Sequence, residues 1–241
     1  MSDWKAKRFW KEASVVEKDQ GFTVELDGRT VKTPAKNPLV IPTRSMAQAI
    51  AEEWDAQDGE IDPARMPVTR SANAAIDKVS VQHAEVAQMI ADYADADLLC
   101  YRADSPEALV QRQADAWNPL LDWADKAFGA RLHPVSGVIH QPQSPKALEV
   151  LSRQAHSMDS FSLTAFHDLV SLSGSYIIGL AAVHDMREAK ELWHLSRVDE
   201  AWQEELWGPD EEAVAVAKRK ESDFLHAKRF LNLAQSQANR F

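Results

Sequence analysis

Histidine, cysteine, serine and carboxylate side chains are where chemistry would be sought in this chain. His167-Asp168 and His184-Asp185 each set an imidazole beside a carboxylate. Neighbours in a helix point about 100° apart and share no face, so neither pair forms a chelate by itself. No H-E-x-x-H occurs. His184, Asp185 and His194 would make a metal-assisted hydrolase only if the fold brought them together. Cys100 stands alone in an apolar run and reads as core. Ser175 lies in LSGSYIIG, which lacks the first glycine of a G-x-S-x-G elbow. His133 and His140 flank an irregular loop and read as exposed polar residues. Neither G-x-G-x-x-G nor G-x-x-x-x-G-K-[ST] is present, so no phosphate-cradling loop is expected. From these residues no catalytic site, no cofactor and no metal are expected.

The carboxylate that stands out is Asp199. Residues 191–212, ELWHLSRVDEAWQEELWGPDEE, read as one long helix ended by a left-handed Gly208, with Asp185 as cap and Glu188 as its capping-box partner. At helical spacing Leu192, Leu195, Trp202 and Leu206 form one stripe, and Asp199 falls in its middle. A carboxylate there breaks the pattern, and such breaks gather at functional or strained sites. It is either paired by a basic neighbour or set at the edge of a partner-binding groove. Glu200 projects about 100° away, near Arg197, Glu204, Trp193 and Trp207.

The segment carries eight acids against one base, Arg197, a net of −7 within a chain of net −10. It also holds Trp193, Trp202 and Trp207, three of the eight tryptophans. Acidic and aromatic surface together suit a basic and apolar protein patch. The simpler alternative is a solvated acidic helix with its tryptophans in the core.

Two hundred and forty-one residues can bury a real core without staples. One cysteine allows no intrachain disulfide and suits a reducing compartment. The opening MSDWKAKRFWKEAS has no apolar run after its basic residues and is not a secretory signal. No stretch reaches 18 apolar residues, so no membrane insertion is expected. The negative charge argues against nucleic acid.

The elements that must position these residues fall into two parts, an α+β organisation. Residues 1–70 form a small antiparallel β-rich domain of four strands: 14–18, 21–26, 29–32 and 39–41, with a hairpin at Asp27-Gly28. Thr43 or Ser45 caps a helix to about residue 57, with Met46, Ile50 and Trp54 inward. A proline-bearing link leads to a larger all-α bundle, 71–241. Its helices are expected at 71–93, from Pro106 as first helical residue to Gly129 with a bend at Pro119, at 145–158, at 160–183, and from Pro209 to about 235. The helix at 160–183 is the most apolar and is expected at the centre, with Ser171, Gly174, Ser175 and Gly179 letting neighbours approach.

Several blocks resemble a known family. RFWKEASV followed by VELDGRTVKTPAKNPLVIPT, then AEEWDAQDGEIDPARMPVTRSANAAID, DLLCYRADSPEAL, WNPLLDW and SRVDEAWQEELWG are similar, in that order, to blocks of the ATP12 family. Its members are assembly chaperones of the F1 part of ATP synthase. The resemblance implies a β-rich domain followed by a helical one, a non-enzymatic role, and binding to the free F1-ATPase α subunit, a protein partner, over the surface that later meets β. It also implies a functionally critical acid in SRVDEAWQEELWG, placed on Asp199 with Glu200 as its neighbour. The expected partner surface is Asp199, Glu200, Trp202, Glu204, Trp193 and Trp207. The chain is expected to be a monomer when free and to work in the bacterial cytoplasm, the family's eukaryotic members being mitochondrial. The rival readings are the metal-assisted hydrolase and an acidic-helix scaffold for some other basic protein.

Overall fold

The computed structural model describes residues 7–137 and 139–236. Residues 1–6, where the excluded secretory signal would begin, and 237–241 lie outside it. The architecture is α+β, a small N-terminal antiparallel sheet followed by helices. Contacts divide the chain into two compact units. The first contains Met1–Gln82, so it includes residues 71–82, which the expected boundary near 70 gave to the helical domain. Asp159–Ala165 and Arg229–Phe241 also belong to it.

In the first unit, β1 (Ala13–Lys18) pairs antiparallel with β2 (Gly21–Leu26), and β2 with β3 (Arg29–Thr30). The turn between β2 and β3 has Asp27 and Gly28 at φ of 47° and 78°, as a two-residue hairpin whose twist matches its strands requires. The Asp27 carboxylate accepts from the backbone N–H groups of Glu12 and Lys11, which hold its pKa below the usual carboxylate range. The expected fourth strand does not form. Ile41 makes an isolated bridge to Phe22 and Pro38 one to Lys32, and the Leu39 N–H goes to the Val31 carbonyl, so the segment divides its bonds between β2 and the residues after β3.

Helix α1 (Arg44–Asp55) follows, and of the two expected caps Thr43 is the one used, its Oγ1 accepting from the Met46 N–H. Met46 and Ile50 are fully buried, and half-buried Trp54 meets Trp10 edge-on at 5.2 Å. From α1, Glu53 reaches the start of α2 (Pro67–Ala74). Its carboxylate accepts from the backbone N–H groups of Val68 at 2.7 Å and Thr69 at 2.8 Å, orphan donors of a helix start. A π-helical turn, Ala75–Val79, then breaks the long helix expected over 71–93. Its Asp77 accepts from Thr33 Oγ1, the Ala35 N–H and Asn37 Nδ2, and so fixes the 33–37 turn.

The second unit holds α3 (His83–Ala91), a short strand β4 (Tyr101–Arg102), α4 (Glu107–Phe128), β5 (Val135–Ser136) parallel to β4, and α5 (Pro145–His156). Pro106 is the residue before α4 rather than its first. Pro119 leaves α4 continuous. The expected 160–183 helix is two: α6 (Ser160–Ser173) and α7 (Tyr176–Val183). Gly174 ends the first and Ser175 caps the second, its Oγ accepting from the Ile178 N–H at 3.0 Å. Fully buried Asp97 also serves this cap, accepting from the Ile177 and Leu99 N–H groups, and burial pushes its pKa up to about 6.

Residues 176–182 are all buried, so α7 is the central element of this unit. Gly179 is where α6 comes closest. A Cβ there would lie 2.6 Å from Val170 Cγ2 and 3.0 Å from the Phe166 ring. Gly179→Ala should therefore destabilise the protein by about 1–3 kcal/mol through overpacking, although alanine is the better helix former. A urea midpoint equal to the wild type would refute that close approach.

Candidate functional site

The acidic segment is two helices, not one. α8 (Ala189–Leu195) ends at Ser196, whose hydroxyl donates to the Trp193 carbonyl at 2.7 Å, and α9 (Val198–Trp207) begins after Arg197. Such a back-bond offers the chain an alternative to continuing the helix. The expected capping box is also absent. Asp185 has φ of 50° and pairs with Lys228 Nζ at 2.8 Å, while Glu188 sits at the cap position without a side-chain bond. Helix α10 (Glu211–Gln235) follows the Gly208-Pro209 turn. Gly208 has φ of 83° but ψ of 161°, not the left-handed geometry expected. A residue before proline is driven out of helical ψ, and glycine tolerates the positive φ.

The break rotates α9 relative to α8 and dissolves the single stripe. Leu192 is fully buried, Leu195 and Trp202 are half-buried, and Leu206 is 57% exposed. Trp193 is buried against Phe224, with ring centroids 5.8 Å apart, so it serves packing. Trp207 is 77% exposed.

Asp199 and Glu200 part company. Asp199 is half-buried and faces α4, where its Oδ1 accepts from Gln113 Nε2 at 2.6 Å. The neighbour expected to pair it was an arginine or histidine. The Arg102 guanidinium is within electrostatic reach but is bonded to the Leu99 carbonyl and to Asn118, and lies over the Trp117 ring. Glu200 turns the other way and takes Arg197 Nη1 at 2.6 Å. One turn beyond Asp199, Arg112 lies 4.9 Å from the Trp202 ring centroid and donates to both Glu205 oxygens, at 2.7 and 2.8 Å. That pairing holds the Glu205 carboxyl below its ordinary range.

Residues 203–215 are all exposed. They form the end of α9, the turn and the start of α10, with five acids, Glu204, Glu205, Asp210, Glu211 and Glu212, and no base. Leu206, Trp207 and Val214 present apolar surface there. Asp210 accepts from the Ala213 N–H and caps α10. A hollow of about 360 Å³ lies between α8, α9 and α10, lined by Trp193, Arg197, Glu200, Glu204, Val214 and Lys218 among others. Of the residues expected to form one partner surface, the structure brings Trp193, Glu200 and Glu204 together around the hollow, Trp193 as its buried wall, and puts Trp207 on the exposed hairpin with Glu204. Asp199 and Trp202 lie against α4. Gln113, Arg112, Leu206 and Val214 are additions that sequence reasoning does not supply. For Leu206 the one usable signal is its closeness to the Gly208-Pro209 turn.

Two residues of the metal alternative, His184 and Asp185, have other partners. His184 packs against Phe128 and Trp123, at 5.3 and 6.1 Å between centroids, and burial pushes its pKa down. Asp185 is taken by Lys228, and among the described residues no group of three or more His, Cys, Asp or Glu could hold a metal. Among them, no helix is long and apolar enough to cross a membrane.

The fold recurs in a solved protein. The crystal structure of Atp12 from Paracoccus denitrificans matches with a TM-score of 0.94 and 48% identity, over 97% of this chain and 100% of that one. The chain belongs to the ATP12 chaperone family. The family model, described as ATP12 chaperone protein, matches residues 7–125. A lysine-for-aspartate mutant of the P. denitrificans protein matches equally well, at the same TM-score. A crystal structure from Agrobacterium tumefaciens matches with a TM-score of 0.89 and 41% identity, over 94% of this chain and 85% of that chain. The mitochondrial protein atp12 of Schizosaccharomyces pombe is 25% identical over 225 residues, 87% of this chain and 76% of its own length. The exposed acidic hairpin is therefore part of a member of the ATP12 chaperone family.

Proposed function

We propose that this chain is an assembly chaperone of ATP synthase that binds the unassembled α subunit of F1, covers the surface that later meets β, and yields to β without catalysing a reaction. In a bacterium that work belongs in the cytoplasm. The observation that carries this is the exposed hairpin of residues 203–215, with Trp207 bare to solvent amid five acids and no base. Tryptophan is among the residue types enriched at binding hot spots, and here it stands next to exposed Leu206 rather than singly.

The chemistry of exchange follows from mass action. An unassembled subunit exposes apolar interface and self-associates. A chaperone that binds the free form lowers the concentration of the aggregating species. Its contact must be weaker than the final subunit contact, which suits a modest, partly polar surface with few aromatic anchors. The test is the light scattering of isolated α subunit with and without this protein. Scattering should fall steeply near one equivalent. Unchanged scattering at a several-fold excess would overturn the proposal. Recovery from lysate of another basic protein in place of α would favour the scaffold instead.

A further inference from the structure

We propose that Gln113 is a positioning residue for partner binding, setting through its side-chain amide the angle at which α9 carries the exposed hairpin away from α4. The proposal rests on the reading that this hairpin engages the unassembled subunit. Gln113 is only 1% exposed, so no water can replace a lost partner. Its Oε1 accepts from the Ala103 N–H at 2.9 Å. That contact fixes which way the amide points, because an N–H facing an N–H would leave two buried donors unmet. Nε2 is therefore presented to α9, and residue 199 must offer an acceptor. Asp199 does so at 2.6 Å. Its charge also suits the first turn of α9, where the helix dipole is positive.

The same turn of α4 holds the next two points along α9. Arg112 lies over Trp202 and clasps Glu205. Residues 199, 202 and 205 follow each other at three-residue spacing along one face of α9, gripped by the adjacent pair 112 and 113. Beyond them Leu206 and Trp207 are exposed. Helix α9 is thus fastened along its root and bare at its tip. A lysine at 199 would set a cation against the Gln113 N–H and toward the Arg102 charge, lifting the root. Asp199 then acts through α4 rather than by touching the partner.

The test follows α9 directly and binding separately. Spin labels at Gln203→Cys and Ala127→Cys, both at positions open enough to carry a label, report the distance between α9 and α4 without any partner. The wild type and Asp199→Asn, which keeps an acceptor, should give one narrow distance and α-subunit affinities within about threefold of each other. Asp199→Lys should give a second, displaced distance and at least tenfold weaker binding. Gln113→Glu combined with Asp199→Lys restores donor and acceptor with roles reversed and keeps the Ala103 bond. It should recover both the distance and binding to within about threefold. Gln113→Met, with Asp199 intact, should shift the distance and weaken binding at least fivefold. Unmoved distances in Asp199→Lys and Gln113→Met overturn the inference. So does a double variant that restores the distance but binds no better than Asp199→Lys, since Asp199 would then meet the partner itself. Distances that move as expected in a protein that never binds α uphold the positioning and sink the proposed partner.

Discussion

Truncating Trp207 to alanine should weaken binding to the unassembled α subunit by about 30-fold, while the melting temperature stays that of the wild type. The side chain is 77% exposed, so folding gains little from it, and surface substitutions of this kind fall within about ±0.5 kcal/mol of neutral. In a complex it would be a large, rigid apolar body entering a pocket on the partner. Removing such an anchor typically costs about 2 kcal/mol or more, and at about 1.4 kcal/mol per factor of ten that is a loss of about 30-fold. Trp207→Phe should keep much of the contact. The five acids around it predict a salt signature: the association rate should fall as ionic strength rises, and faster for the wild type than for Glu211→Gln/Glu212→Gln. Titration calorimetry or surface capture of α measures the first effect. Equal affinities for the wild type and Trp207→Ala would remove the hairpin tip from the binding surface.

Trp117→Ala should cost about 3–5 kcal/mol of stability, a larger loss than Gly179→Ala. Trp117 is fully buried in α4, its Nε1–H donates to the Leu195 carbonyl at 2.7 Å, and the Arg102 guanidinium lies 5.1 Å from its ring centroid. One side chain therefore fills core volume, satisfies the end of α8 and takes the face of a half-buried cation. Alanine would leave a cavity, an unmet carbonyl and a guanidinium over empty space. Trp117→Phe restores part of the volume without the N–H and should cost roughly half as much. Domains of ordinary stability hold about 5–15 kcal/mol in all, so the alanine variant should lie near the edge of folding. The urea midpoint measures it, with the slope checked for a change in cooperativity. A loss below about 1 kcal/mol would show that α4 and α8 do not depend on this ring.

Much of this molecule is readable from local rules. The Asp27-Gly28 hairpin and the Thr43 cap each depend on the backbone geometry of two to four consecutive residues, and they form as their sequences predict. The family is readable as well, from blocks in order, none of which is catalytic. Helix continuity is misjudged at three places, over 71–93 where a π-helical turn intervenes and at two others for one shared reason. Apolar periodicity runs through 160–183 and 191–207, but it does not register a single residue whose side chain competes for the backbone. Ser175 and Ser196 do so, the first as a cap and the second as a stop. The fourth strand fails because residues 38–41 divide their pairing between Phe22 and residues 31–32 instead of following one neighbour.

Residue order alone determined that this chain would carry a concentrated negative, tryptophan-rich stretch and that one of its carboxylates would fall at helical spacing among apolar residues. Which tryptophan is bare and which is buried was decided only by the fold. The turn at Ser196-Arg197 rotates α9, and a rotation of one helix relative to the next sends Trp193 to the core and Trp207 to solvent, although apolar spacing alone runs one stripe through both helices. The partner of Asp199 is likewise invisible along the chain. It is a glutamine 86 residues away, oriented by a backbone N–H on another segment, and a hydrogen bond of that kind exists only once three separate stretches have been packed together.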